Sequence, residues 1–339
     1  MKPSIFKKAL VVYLIISLLA LEVLSRVALM YNFKVPFFAP QNIIYHYYPE
    51  LKAVNESIID RGNGVFDILL LGNSTLSNEW GSVEAELREQ LGNRSDIKIH
   101  NLSKAAHTSL DSRINFMLLE KKYFDFIILY GGINETRANN CPLDKFAADY
   151  SHFSWYREIY AVLRHPEMQY TVIPFMLDLI ISKCQKNTGI PTHAPKGEWV
   201  EYGKVIKTTG SFRQNYLEII GRAQQLGIPV MIMSFAFYIP LDYTKEKFAS
   251  KELDYSKHKL AIEIWGEPDY VQKGIEAHNE VIKEIAGDAS FKKLYYLDMN
   301  NMLEKGMNNF DDICHFTGEG SSKFVAYLLP IIRKEMRNF

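Results

Sequence analysis

The sequence predicts an α/β fold. It reads as a three-layer α/β/α sandwich with a central, mainly parallel five-stranded sheet, preceded by an N-terminal transmembrane helix. Three observations predict it. Five short, mostly apolar runs of five to nine residues have the character of buried strands. Amphipathic stretches at helical spacing separate them, and strands alternating with helices imply a parallel sheet covered on both faces. A long apolar run behind lysines opens the chain.

That first run follows Lys2, Lys7 and Lys8. It extends from Ala9 to Leu21, is interrupted by Glu22 and Arg26, and continues to Met30. As a helix, Ala9 to Met30 covers about 33 Å at roughly 1.5 Å per residue, enough to span a bilayer core. Glu22 and Arg26 stand four apart and share a helix face, so they can pair near the far interface. The lysines place the N-terminus in the cytoplasm and the following domain outside it, on the periplasmic or cell-surface side. Residues 1–30 therefore read as a single-pass signal anchor. The alternative is a cleaved signal peptide, but no small-x-small cleavage site follows Leu21.

Residues 31–64, rich in Pro, Asn and Tyr, read as a juxtamembrane linker, and residues 65–339 as the α/β domain. Strand one is Phe66 to Leu71. Val83, Leu87 and Leu91 mark the next helix. Ile97 to Asn101 is a second strand, and Leu110, Ile114, Met117 and Leu118 a further helix. Phe126 to Tyr130 is the third strand. The alternation then stops. Residues 141–210 read as a helical insertion, with one helix around Trp155 to Leu163 and another after Pro174, whose run is too short to cross a membrane. The insertion is either a cap over the site or extra packing. Alternation resumes with a helix from Phe212 to Gly227 and a fourth strand, Pro229 to Phe237. A polar, aromatic loop region (240–270) leads to a helix from Ile275 to Ala286 and a fifth strand, Leu294 to Asp298. A last helix runs from about Ser321.

Lys plus Arg and Asp plus Glu both total 39. Nothing in that balance calls for nucleic acid, which needs a basic surplus. The three cysteines, Cys141, Cys184 and Cys314, are too few for a disulfide framework and lack zinc-ligand spacing. Cys141 and Cys184 flank one segment, and a bond between them would staple it.

Four segments carry chemistry. Gly72-Asn73-Ser74-Thr75 directly follows the first strand, at the sheet edge where ligands bind in such folds. Asn101-Leu102-Ser103-Lys104-Ala105-Ala106 follows the second. Gly131-Gly132-Ile133-Asn134 follows the third, its glycines allowing close backbone approach. Asp312-Ile313-Cys314-His315 precedes the last helix, with spacing that lets a carboxylate hold the imidazole Nδ1–H while Nε2 stays free.

The order Ser, Gly/Ala, Asn, Asp-x-x-His resembles the SGNH hydrolases, also called GDSL esterases and lipases. The resemblance covers roughly residues 65–335 apart from the insertion, and includes NEVIKEIAGDASFKKLYYLD followed by FDDICHFTGEG. It implies a flavodoxin-like sandwich with Ser74 as nucleophile, His315 as acid–base and Asp312 as its orienting carboxylate. It further implies an oxyanion hole of the Ser74 N–H, the Ala106 N–H and the Asn134 side chain, supported by Gly72, Asn73 and Gly132. Two positions depart from the family pattern. Asn73 stands where Asp is usual, and Ala106 where glycine is usual. Alanine serves there if its φ is negative and is strained if φ is positive.

The remaining candidates read as structural: His107 as a solvated or packing side chain, Lys104 as a solvated loop charge, Glu319 as an anion at a helix start, Cys314 as packing inward. Asn-x-Ser/Thr triplets at Asn73 and Asn134 read as chance matches, since a glycan there would block the site. The expected activity is hydrolysis of a small-molecule, glycan or lipid ester at the cell surface, with no metal or organic cofactor. Acyl transfer by the same triad and a degenerate domain that only binds a glycan or partner are the alternatives.

Overall fold

The computed structural model describes residues 3–119, 121–184 and 195–339. They form two compact units. One comprises residues 53–150 and 190–339, the other residues 1–52 and 151–189.

The larger unit holds the sheet. Strands β1 (Phe66–Gly72), β2 (Ile97–Asn101), β3 (Phe126–Tyr130), β4 (Val230–Met233) and β5 (Leu294–Leu297) lie in the order β2-β1-β3-β4-β5. Every neighbouring pair is parallel. This is a doubly wound order, with its switch point between β1 and β3. Both of those strands are buried along their whole length, which is why their sequences are continuous apolar runs and not alternating ones. Asp67 is the polar exception in β1. It is held by His100 Nε2 at 2.7 Å on the neighbouring edge strand.

The helices divide between the faces. Phe66, Ile68 and Leu70 share a core with Val83 and Leu87 of the helix Val83–Gln90 and with Phe324 and Leu328 of the helix Gly318–Arg337. The alternate residues of β1, Leu69 and Leu71, point the other way. The helices Ser109–Met117, Thr209–Leu226 and Pro268–Ala286 pack together. This is the three-layer sandwich expected from the alternation.

Element ends differ from expectation where side chains intervene. The fourth strand stops at Met233, although its apolar run continues to Phe237. Beyond Met233 the backbone donors find other acceptors: Phe235 N–H the Asn279 amide, Ala236 N–H the Tyr130 hydroxyl, Phe237 N–H the Asn300 amide. Tyr238 N–H donates to the Ile313 carbonyl, inside the segment that carries Asp312 and His315. The 240–270 region is more ordered than a loop, with a helix Lys245–Ser250 capped by Thr244. The next helix starts at Pro268, where proline fits the first turn. The last helix starts at Gly318, where the Thr317 hydroxyl accepts Gly320 N–H.

The smaller unit contains the N-terminal helix, Pro3–Phe33, whose span Lys7–Phe33 is long and apolar enough to cross a membrane. The segment read as a linker is structured. It carries a 3-10 turn Pro40–Ile43 and helices Ile44–Tyr47 and Pro49–Glu56. The reason is aromatic packing: Tyr47 and Tyr48 are buried and both meet the Trp155 ring edge-on. Trp155 belongs to the helix Ser154–Leu163, so the middle of the 141–210 insertion folds with the N-terminal residues, while its two ends stay with the sheet unit. Cys141 is a buried free thiol whose S–H donates to the Ala138 carbonyl. The side chain of its suggested partner, Cys184, lies outside the described residues.

The sheet's tightest backbone approach sits at the end of β1. A Cβ on Gly72 would lie 2.5 Å from the Tyr130 carbonyl oxygen. Gly72→Ala should therefore push β1 and β3 apart and destabilise the domain by about 1–3 kcal/mol. A chemical denaturation series on the two proteins measures this, and an unchanged midpoint would show that the strands yield freely.

Candidate active site

The register of the sheet assembles the site. Gly72 is paired with Tyr130, so the segments leaving β1 and β3 emerge side by side. Leu70 is paired with Asn101, which brings the segment after β2 alongside. Asn73 Oδ1 accepts Thr75 N–H at 3.0 Å, an Asx turn that bends the chain at Ser74. The Thr75 hydroxyl reaches the Cys314 carbonyl at 3.5 Å and ties this turn to the C-terminal loop. Asn101 braces the same turn from β2, donating to the Leu76 carbonyl at 2.8 Å.

Ser74, Asp312 and His315 meet. His315 Nε2 lies 2.9 Å from Ser74 Oγ, and His315 Nδ1 lies 2.8 Å from Asp312 Oδ2. The carboxylate is fixed from three further directions. Asp312 Oδ1 accepts the N–H groups of Cys314 and His315 at 3.0 and 2.9 Å, and Oδ2 accepts Leu260 N–H at 3.0 Å. With Nδ1–H given to the carboxylate, Nε2 is left as the base facing the hydroxyl. The whole set is buried: Ser74 is 5% exposed, and Asp312 and His315 are 0% exposed.

The oxyanion candidates lie on the segments that follow β1, β2 and β3. Asn134 begins a 3-10 turn, Asn134–Asn139, directly after the Gly131-Gly132 bend. One of its amide hydrogens goes to the His107 carbonyl at 2.8 Å, and its Oδ1 accepts the Trp265 indole N–H at 2.8 Å. These two bonds fix the amide's orientation and leave its second N–H available. Among the described residues, neither Ser74 N–H nor Ala106 N–H has a backbone or side-chain acceptor. Ala106 itself has φ +66°, so the condition for strain is met. An alanine occupies a left-handed position that glycine adopts without cost.

Gly132 has φ +151°, and a Cβ there would press on Phe235 at 3.3 Å. Its carbonyl accepts His278 Nδ1–H at 2.8 Å, while His278 Nε2 takes the Thr208 hydroxyl at 2.8 Å. Burial lowers the His278 pKa to about 4, so this buried imidazole stays neutral and acts as a brace.

The other candidates fall as follows. His107 is buried and not solvated, and it contributes its carbonyl to Asn134. Lys104 is partly buried, and its carbonyl accepts His107 N–H. Glu319 lies in the first turn of the last helix and pairs with Lys323. Cys314 is fully buried, and burial first, then the nearby Asp312 carboxylate, pushes its thiol well above the ordinary range. Its sulfur lies within 4.8 Å of the donor atoms of Asp312 and His315, a spacing a metal could use. The Asp312–His315 hydrogen bond and the protonated thiol already satisfy those atoms. Asn73 and Asn134 are buried, which excludes a glycan at either.

Sequence reasoning missed three contributors. Trp80 stacks on the His315 ring with centroids 5.0 Å apart and planes at 28°. Lys259 holds the Trp80 carbonyl at 3.0 Å and pairs at 2.7 Å with Asp311, next to Asp312. Glu135, directly after Asn134, is fully buried and accepts Ser109 N–H at the start of the helix Ser109–Met117. No motif announced them, since each acts through contacts distant in sequence.

No family model matches this sequence, and no curated protein matches it. Among solved structures the chain is similar to a GDSL-like lipase from Bacteroides thetaiotaomicron, at 13% identity over 85% of this chain and 97% of that one, with a TM-score of 0.45. It is also similar to a catalytic mutant of an acetylxylan esterase from Geobacillus stearothermophilus, at 12% identity over 81% and 96%, TM-score 0.41. A third is a member of the lipolytic G-D-S-L family from Veillonella parvula, at 10% identity over 79% and 98%, TM-score 0.41.

Two measurements test the local physics. Ala106→Gly should raise stability by about 1 kcal/mol, because glycine relieves the left-handed φ; a lower thermal midpoint would show that the alanine is not strained. Burial raises the Glu135 pKa from 4.5 to about 7. The folded state thus binds this proton more tightly than the unfolded chain. The stabilisation is complete below pH 4.5 and is lost as pH rises through about 7, a difference of about 3 kcal/mol. Glu135→Gln should flatten the fall in stability between pH 5 and 8, and parallel wild-type and variant curves would remove Glu135 as the titrating group.

Proposed function

We propose that this chain is a serine esterase of the SGNH type, tethered by its N-terminal helix with the catalytic domain outside the cytoplasm. The observation that carries the reading is the continuous chain Ser74 Oγ, His315, Asp312, with both bonds under 3 Å. Ser74 attacks an ester carbonyl while His315 Nε2 takes its proton. Asp312 stabilises the imidazolium. The oxyanion is held by the N–H groups of Ser74 and Ala106 and the free N–H of Asn134. His315 returns the proton to the leaving alcohol, and water then repeats the sequence on the acyl-enzyme. The substrate class that suits a tethered enzyme is an O-acylated glycan or lipid at the cell surface.

A second reading is acyl transfer to a sugar hydroxyl. It is favoured by the complete burial of His315 under Trp80, which restricts water at the step where the acyl-enzyme is resolved. Separation of Ser74 and His315 would support the binding-module reading, and they are 2.9 Å apart.

The test uses the full chain in detergent with a fluorophosphonate probe and an acetyl-ester substrate. Wild type should label at Ser74 and turn over, and Ser74→Ala should do neither. Asn134→Ala should lower kcat by about 10²–10³ through loss of one oxyanion donor. A folded wild-type chain that neither labels nor hydrolyses would leave the binding module as the better reading.

A further inference from the structure

The helix Ile173–Cys184 is amphipathic in the wrong sense for an aqueous surface. Ile173, Met176, Leu177, Ile180 and Ile181 recur at i, i+3, i+4, i+7 and i+8, so they form one stripe. That stripe faces outward: Leu177, Ile180 and Ile181 are 52%, 55% and 57% exposed. The helix already has an inner face. Phe175 and the preceding Val172 are buried in the smaller unit, and Asp178 is paired with Arg164 at 2.8 Å. The outer stripe is therefore additional to the core contact, and a contiguous exposed apolar surface of this kind marks an interaction site.

Its neighbour identifies the occupant. The helix packs against the N-terminal helix Pro3–Phe33. The junction is polar and specific. Glu22 accepts Val172 N–H at 3.0 Å and the Thr171 hydroxyl at 2.9 Å, at the entry to the helix. Arg26 pairs with Glu22 at 2.6 Å and donates to the Tyr170 carbonyl at 2.9 Å. On the N-terminal side of this clamp, residues 7–21 are exposed all round, as a lipid-facing helix would be. Beyond it, Ser25 and Leu29 are buried in protein. The clamp thus marks where the helix passes from exposure all round to partial cover by protein. Exposed aromatics, Tyr31, Phe38 and Tyr170, gather at the same end of the helix, as they do in interfacial belts.

We propose that Ile173–Cys184 is a second membrane contact, an interfacial helix whose apolar stripe lies in lipid beside the point where the N-terminal helix leaves the bilayer. Its 12 residues cover about 18 Å, too short to cross a core of about 30 Å and suited to lying along its boundary. The inference rests on reading Pro3–Phe33 as a membrane helix.

The test places the full chain in lipid nanodiscs, in a Cys184→Ser background, with an environment-sensitive fluorophore attached at Leu177→Cys, Ile181→Cys or, as reference, Leu14→Cys. Cys141 and Cys314 are buried and should not label. Emission at positions 177 and 181 should be blue-shifted and largely lost with acyl-chain-brominated lipid, and should resist aqueous iodide. Quenching by iodide with no effect of brominated lipid, while position 14 still reports lipid, overturns this inference alone. Protection from both quenchers also overturns it, because a protein then covers the stripe. A water-exposed position 14 removes the membrane helix and this inference together.

Discussion

The close approach of β1 and β3 is the constraint on which the site depends. With Gly72 against the Tyr130 carbonyl, the two central strands end at the same level, so the nucleophile turn and the Gly-Gly-Ile-Asn turn leave the sheet together. The candidate groups that follow β1, β2 and β3 are then placed by short backbone excursions from one edge. The C-terminal loop must reach that edge from a distant part of the chain. It is tied there by two bonds: the Ile313 carbonyl accepts Tyr238 N–H beyond β4, and the Asp312 carboxylate accepts Leu260 N–H. A loop carrying two of three triad members is in this way as fixed as the strands it serves.

The sequence showed the sheet well because buried parallel strands are continuous apolar runs, and β1 and β3 fall where those runs lie, while the edge strand β2 is a weaker, partly polar run. The meeting of Ser74, His315 and Asp312 was legible because the Asp-x-x-His spacing and the post-strand positions are local features. The sequence failed where an apolar run is buried without being a strand. Residues 235–237 are apolar like β4, but their donors are taken by side chains from other elements, which no window of sequence contains. The same holds for residues 31–64. Their Pro and Asn content suggests a linker, yet Tyr47 and Tyr48 find Trp155 more than a hundred residues away. At Ala106 the sequence posed the right question, since the sign of φ cannot be read from residue type, and the backbone gives the strained answer.

Behind the triad lies a second tier of buried polar groups: Glu135, His278, Asn139 and Asn215. Each is bonded to backbone or to another side chain: His278 to Gly132, Glu135 and Asn215 to Ser109, and Asn139 to Lys207. Removing such groups from water carries a desolvation penalty, which hydrogen bonds only partly offset. An apolar core would be more stable and less exact. Rigidity at the site is the return for this arrangement, since preorganised donors need not reorient when charge develops.

The indole over His315 has an electronic consequence. An imidazole is neutral at rest, but in the proposed cycle it becomes a cation twice, once in each half-reaction. An aromatic face is electron-rich, and a cation stacked on it within about 6 Å is attracted. At 5.0 Å from the ring, Trp80 stands where it would attract the cation of the proposed cycle. A residue whose evident task is to cover the site would then also act selectively on its transition states, and an aliphatic side chain of equal bulk would cover without doing so.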